Sequence, residues 1–348
     1  LLRVEVLNSP EDWNRYLARS KLDHFAHCWE LREVIQKSFG HRPYYLAAYQ
    51  ENEVTGILPL FLVKSILFGN SLISVPYFNS GGIIADSDVA FESLIHKAEE
   101  LKENLKVSYV EFRGREVEKR YKSTVGFPLA VRSHKVAMRL SLPESGEKLL
   151  TAFDKKLRAQ IKRPEKSGVT ATVTDGSHAN VEDFYKVFSL NMRDLGTPVY
   201  PKKFFELLFK NFTSSRCILC YLEDKPVAAG ITVGFQDSVE IPCASSLREF
   251  NSTSANMLLY WKAMETGITD GYKFFDFGRS SPESGTFKFK QQWGAAPKTL
   301  FWYYLANPTA VPDVNPNNPK FALVVKIWRR LPLAIANRLG PILTRGLP

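Results

Sequence analysis

No apolar run in this sequence is long enough to span a bilayer as a helix. The uncharged stretch at residues 65–85 is broken up by Asn70, Pro76, Asn79, Ser80, Gly81 and Gly82. No secretory signal pattern opens the chain, so a cytoplasmic location is expected. Cysteine is scarce: there are four, and only Cys217 and Cys220 stand at a suggestive spacing. They fall in an apolar run that reads as a strand, where side chains three apart point to opposite faces, so the two sulfurs would not converge on a metal. His24, His27 and Cys28 lie close together, but no second ligand pair stands at zinc-site spacing, and no metal is expected. Low-complexity segments and recognised base-reading motifs are missing too, which argues against a DNA-binding role.

What is present is the composition of a folded globular protein, with 45% hydrophobic and 24% charged residues over 348 positions. That length suits two domains, each large enough to bury its own core. Lysine and arginine (46) outnumber the acids (36), for a net charge of +10. Such a surface attracts anions: nucleotide phosphates, tRNA or acidic lipid headgroups.

The two halves carry a weak internal repeat. In the first, Tyr45-Leu46-Ala47-Ala48-Tyr49, a polar turn and Val54-Thr55-Gly56-Ile57-Leu58 read as strand, hairpin, strand. Residues 217–222, the turn at 223–226 and Val227-Ala228-Ala229-Gly230-Ile231 read the same way in the second. A third strand follows each, at 71–76 and 238–242. Next come helices at 89–105 and 254–269, the latter with Met257, Trp261, Met264 and Ile268 at helical spacing. Each leads to a fourth strand, at 107–114 and 272–279. Helical segments precede both hairpins, and Pro143, Ser145 and Gly146 mark a linker. Helix, three antiparallel strands, helix, strand is the order of the GNAT fold. The expectation is an α/β (α+β) protein of two tandem GNAT-like domains, residues 1–142 and 143–310, each a mixed, mostly antiparallel sheet flanked by helices. A basic tail, residues 311–348, would add a C-terminal amphipathic helix.

Particular residues sharpen this reading. Phe275-Asp276-Phe277-Gly278-Arg279-Ser280, then Gly285 and Phe287-Lys288-Phe289-Lys290-Gln291-Gln292-Trp293-Gly294, resemble the hallmark of FemAB-related proteins: a DFGRS-type strand end, a glycine-containing loop and an FKxxWG strand. Gly40-His41-Arg42-Pro43-Tyr44-Tyr45 and Pro76-Tyr77-Phe78-Asn79-Ser80-Gly81-Gly82 are similar to that family's first half, so the resemblance runs over residues 25–305. It is nearest to the FemAB-like proteins that accompany exosortase (PEP-CTERM) exopolysaccharide systems, which carry a basic tail like Ile327-Trp328-Arg329-Arg330. The resemblance implies an acyltransferase moving an aminoacyl or other acyl group to an amino group of a phosphorylated cell-envelope or exopolysaccharide precursor. The better-known members take the group from aminoacyl-tRNA and add it to a peptidoglycan precursor. Their long helical arm is absent or reduced to residues 147–166 here. An Arg/Gln-x-x-Gly-x-Gly/Ala pyrophosphate cradle is also absent. The donor, aminoacyl-tRNA or acyl-CoA, therefore stays open, and no permanently bound cofactor is expected.

Acyl transfer to an amine passes through a tetrahedral oxyanion, which needs a hydrogen-bond donor and an outlet for the amine's proton. Lys290 matches the lysine that lines the family's transfer site and is expected to supply the positive charge. On a strand it would share a face with Lys288, and a solvated strand lysine is the plain alternative. Asp276 would accept a proton or orient the amine, or else pair with Arg279 or cap the turn. The planar fork of Arg279 suits a phosphate or carboxylate. Tyr77, Asn79 and Ser80 are expected at the groove between the halves, as ligand contacts or as a turn. Arg158 and Lys162 belong to a basic helix that would bind the precursor's phosphates or be solvated, and Pro164 should end it. Asn256 is a substrate contact or a helix cap, and Lys288 and Trp293 complete the substrate-binding set.

In the tail, Phe321, Val324, Val325, Trp328 and Leu331 fall on one side and Lys326, Arg329 and Arg330 on the other, with a break expected at Pro332. The tail would rest peripherally on the anionic inner face of the cytoplasmic membrane, or pack on the second domain. A non-catalytic scaffold of polysaccharide export is the alternative to an enzyme.

Overall fold

The computed structural model describes residues 2–22, 24–115, 129–306, 311 and 322–347; the start of the expected tail helix, residues 319–321, lies outside them. Strand β1 (Leu2–Leu7) leads into α1 (Glu11–Arg19) and α2 (Glu30–Phe39). The first repeat is β2 (Arg42–Gln50), β3 (Glu53–Val63), β4 (Ser71–Ile73), a short β5 (Ile84–Ala85), α3 (Asp88–Leu105) and β6 (Tyr109–Gly114). Between the repeats come β7 (Leu129–Ser141), α4 (Gly146–Ala152), α5 (Lys155–Lys166), β8 (Val169–Asp175), α6 (Val181–Leu195) and α7 (Lys202–Asn211). The second repeat is β9 (Ser215–Leu222), β10 (Lys225–Phe235), β11 (Ser238–Ser246), α8 (Ala255–Thr269) and β12 (Phe274–Ser280). It is followed by α9 (Gly285–Gln291), β13 (Ala296–Leu305), α10 (Ala322–Trp328) and α11 (Leu333–Thr344). The repeat extends to backbone detail: the hairpin turns place Glu51 at φ 56° and Glu223 at φ 55°, the same left-handed position in each half.

All the strands among the described residues join one mixed sheet in the order β1-β2-β3-β4-β6-β13-β7-β12-β11-β10-β9-β8, with β5 on β3. Among the described residues the parallel pairs are β4 with β6 and β11 with β12, at corresponding places in the two repeats. Each pairing ends after Ile73 meets Glu111 and Glu240 meets Asp276, and the strands part beyond that point. The halves also exchange strands. β7, which follows the first repeat, pairs with β12 of the second; β13, which follows the second, pairs with β6 of the first and with β7.

Alternation along the strands gives the sheet two apolar faces. On β9, Cys217 and Leu219 face one core while Ile218 and Cys220 face another, so the two cysteines point apart, as their spacing predicts. The first core is shared: Trp13, Leu31 and Phe39 of α1 and α2 cluster with Phe184, Phe204 and Phe205 of α6 and α7. The second core lies beneath α8 with α4 and α5, the third beneath α3.

Two local expectations are corrected. The FKxxWG segment is not a strand: its first residues close the helix α9 and Gln292-Trp293-Gly294 form the turn after it. Ser284 caps α9 by accepting a hydrogen bond from Phe287 N at 3.2 Å, and this cap outweighs the strand-like alternation of Phe287 and Phe289. Pro164 does not end α5, which continues to Lys166. So close to the helix end its missing N–H removes a single bond, and Ser167 N closes the last turn on the Arg163 and Pro164 carbonyls.

Candidate functional site

The site is built where β11 and β12 part. Opposite β7, Asp276 pairs with Arg139 and Arg279 with Ala137, so β12 carries an extra residue at Phe277-Gly278. Gly278 sits at φ 73°, a conformation a side chain would resist, which is why this bulge takes glycine. The carbonyls of Gly278 and Arg279 meet α9, where Lys290 Nζ donates to them at 3.1 and 2.9 Å. Lys290 is 7% exposed. Burial lowers its pKa to about 8, against the raising pull of Asp276 and Glu240. An ammonium has three donors, and among the described residues none accepts the third.

Arg115, the residue after β6, ties the halves together. Its Nη1 donates to Asp276 Oδ2 at 2.6 Å, its Nη2 to Glu240 Oε2 at 3.4 Å, and its Nε to Ser80 Oγ. The other oxygen of Asp276 accepts from Gly278 N at 2.7 Å, and the side chain is 1% exposed. Asp276 therefore holds Arg115 and caps the turn at the bulge, and among the described residues its ion pair is with Arg115 and not with Arg279. His24 lies behind this cluster, its pKa held well below the usual histidine range by burial and then by the Arg115 charge.

The loop at 74–82 faces the bulge. Val75 (φ 49°) and Tyr77 (φ 74°) are both left-handed, a strained state for non-glycine residues and especially for a β-branched one. The strain is held by Arg113, whose Nη1 donates to Phe78 O at 2.6 Å while its Nε pairs with Glu111 at 2.5 Å. Gly82 O meets His27 Nε2 at 2.7 Å, and Trp302 Nε1 donates to Asn79 O at 3.3 Å. The result sets the Asn79 amide beside Gly278, its Nδ2 3.8 Å from where a Cβ would stand.

Arg279 is exposed, yet burial is the leading cause of its lowered pKa, followed by the Arg113 charge. A group open to water but flanked by protein lies in a cleft. Its guanidinium stands 5.1 Å from the Trp302 ring centroid, and that of Arg113 stands 4.4 Å from the same ring. Lys135, donating to Ser281 Oγ, has its pKa lowered by burial and by Arg279. The cleft is electropositive, suited to an anionic group.

Of the sequence-predicted residues the structure brings together Lys290, Asp276, Arg279, Asn79 and Ser80. Tyr77 turns the other way, stacking on Phe39 at 3.9 Å with its hydroxyl bonded to His41 Nε2 (2.6 Å) and Thr344 O (3.1 Å). Lys288 does not share a face with Lys290: two residues along a helix differ by about 200°, leaving Lys288 exposed and Lys290 buried. Trp293 is fully buried against Phe153 and packs the core instead of lining a cleft. Arg158 and Lys162 ride on α5, whose Leu157 and Ile161 share a core with Phe275 and Phe277, the sheet face opposite Asp276. Asn256 is the second residue of α8 and so not its cap. Arg113, Arg115, Lys135, Glu240 and Trp302 were missed. The one available signal was the echo of Asp276-Phe277-Gly278-Arg279 in Glu111-Phe112-Arg113-Gly114-Arg115. A separate cavity of about 380 Å³, lined by Asn14, Cys28, Phe212 and Gln236 among others, includes none of the site residues.

Residues 152–291, which contain α5 through α9, match the family model described as an acetyltransferase (GNAT) domain. The fold is tandem GNAT. The crystal structure of FemX superposes with a TM-score of 0.67 at 13% identity, covering 86% of this chain and 96% of that one. The C-terminal domain of a protein named as a lysylphosphatidylglycerol synthetase from Agrobacterium fabrum gives 0.59 at 13% identity, covering 86% and 93%. A tandem GNAT protein from the clavulanic acid biosynthesis pathway gives 0.55 at 10%, covering 88% and 99%. No curated relative matches the sequence. At these identities the tandem GNAT likeness is one of fold, and the family match is confined to residues 152–291.

Proposed function

We propose that this tandem GNAT protein is an N-acyltransferase of FemAB-related type, transferring an aminoacyl or other acyl group to an amino group of a phosphorylated cell-envelope or exopolysaccharide precursor. The observation that carries the reading is Lys290: a nearly buried ammonium, oriented by two carbonyls, with one donor left over beside an electropositive cleft. In the reaction the acceptor amine attacks the acyl carbonyl carbon, a C–N bond forms, and the ester or thioester bond to the donor breaks. The leaving ribose hydroxyl or thiol takes the proton that the amine loses, so no protein nucleophile is needed. Lys290 donates to the oxyanion of the tetrahedral state, and Arg279 binds the precursor's phosphate or carboxylate. Asp276 acts as a positioning residue. FemX and the lysylphosphatidylglycerol synthetase domain share this fold, which supports an acceptor from the cell envelope and a site of action at the inner face of the cytoplasmic membrane.

The test is amide formation from labelled aminoacyl-tRNA and, separately, labelled acyl-CoA, with amino-bearing nucleotide-sugar and lipid-linked precursors as acceptors. Transfer is expected with one donor class, and Lys290→Met should lower it by about 100- to 1,000-fold, the usual worth of an oxyanion donor. Transfer with neither donor would leave a scaffold, and full activity in the variant would remove Lys290 from the chemistry.

A further inference from the structure

Several strongly exposed apolar side chains lie on the C-terminal helices and on a loop that borders them. Ile66 and Leu67, at the tip of the loop between β3 and β4, are 105% and 79% exposed. At the base of that loop Ser65 lies against Gly346, where a Cβ would come 3.2 Å from its Oγ. Gly346 follows α11, so the last turn of that helix, with Ile342 and Leu343 exposed, borders the loop. α11 is seated through Ala336, Gly340 and Thr344, with Gly340 packed on Val199. Its open flank continues through Leu339 and Ile335. α10 is seated in turn by buried Trp328 and by Val325 beside Gly196, exposing Leu323, Val324 and Ile327. The expected apolar side of the tail is thereby divided: Trp328 and Val325 face the protein, and Val324 faces solvent.

The two segments that carry these side chains hold charge of one sign. No acid occurs between Val54 and Ala85 or between residues 322 and 347, while Lys64, Lys326, Arg330 and Arg338 are all exposed. Fully protruding aliphatic side chains, rimmed by basic ones and seated on amphipathic helices, match the physical demands of a bilayer interface: apolar groups enter the acyl boundary and cations meet the phosphates. Thr344 O accepts from Tyr77 OH, and Arg345 Nε donates to Phe39 O at 2.7 Å, so the same tail is fastened to the loop that presents Asn79 and Ser80 to the cleft.

We infer that the loop at 65–68 and the exposed flanks of α10 and α11 together form a docking surface for anionic phospholipid, which holds the cleft near the membrane. The inference rests on the membrane location given above. Its test reads vesicle binding alone, so its failure leaves the transfer chemistry standing. The full chain is sedimented with vesicles of phosphatidylcholine plus phosphatidylglycerol, and with phosphatidylcholine alone. Partition onto the anionic vesicles is expected to be at least about tenfold stronger and to weaken with added salt. Ile66→Asp with Leu67→Asp, and separately Ile342→Asp, should each abolish it; these sites are exposed, so an unchanged thermal melt checks the fold. Equal binding to both vesicles, no binding, or binding that survives the substitutions overturns the proposal. So does self-association broken by the same substitutions without vesicle binding, which would give the face to a second copy of the chain.

Discussion

Lys290 keeps its charge where a neutral side chain would be more stable. Its ordinary value of 10.5 falls to about 8 in the folded protein, so between these two pH values the unfolded chain binds the extra proton. Stability must therefore rise with pH across that window, and below pH 8 the full cost is present, about 3 kcal/mol. Urea unfolding of the wild type and Lys290→Met at pH 7 and pH 10 should show the wild type gaining on the variant by about that amount; identical pH responses would mean that the ammonium is not buried. Arg279→Ala tests the cleft instead. Loss of a charged hydrogen bond worth about 1.5–3 kcal/mol weakens binding by about 10- to 100-fold. Calorimetry should find that loss for the phosphorylated precursor and little change for its dephosphorylated form. The motif residues Asp276, Arg279 and Lys290 were legible because they stand close in sequence. Arg115 was not, because its partners Glu240 and Asp276 lie 125 and 161 positions away and nothing local announces them.

At the scale of elements, the bulge in β12 is the device that faces two carbonyls at Lys290. A Cβ at Gly278 would find its nearest neighbours at 3.8 Å, so Gly278→Ala is costly through its φ of 73° and not through a clash. The expected destabilisation is about 1–2 kcal/mol, with transfer falling further than stability alone explains, because relaxing the strain swings the carbonyls away from Lys290. Gly271 is the control: it has φ 86° with nothing within 4 Å and lies away from the site. Gly271→Ala should cost similar stability in a thermal melt and leave transfer unchanged; equal activity losses in the two variants would make the bulge incidental. The repeat's strands and its helices α3 and α8 were readable from periodicity. α9 was not, because over seven residues two phenylalanines at alternate positions imitate a strand, and only the Ser284 cap distinguishes the two.

For the whole molecule, length and repeat gave two tandem units, but not how they are joined. The partner of a strand outside the repeat is chosen by the completed sheet, so neither the exchange of β7 and β13 nor the core shared by α1, α2, α6 and α7 is written locally. The exchange has an energetic consequence. Unfolding the second half would strip β12 from β7 and β13 from β6, leaving new sheet edges in the first, and would open the core that both halves line. Each half thus loses more than its own contacts when the other unfolds, and partly folded states are penalised. Scanning calorimetry should therefore show a single transition whose calorimetric and van't Hoff enthalpies agree, despite a length at which two domains commonly melt apart. A cut between residues 142 and 143 separates β7 from β12 and should leave each fragment aggregating alone, while the two recover the folded protein when co-expressed. Two resolved transitions in the intact chain, or a stable monomer from either fragment, would show that the exchanged strands do not couple the halves.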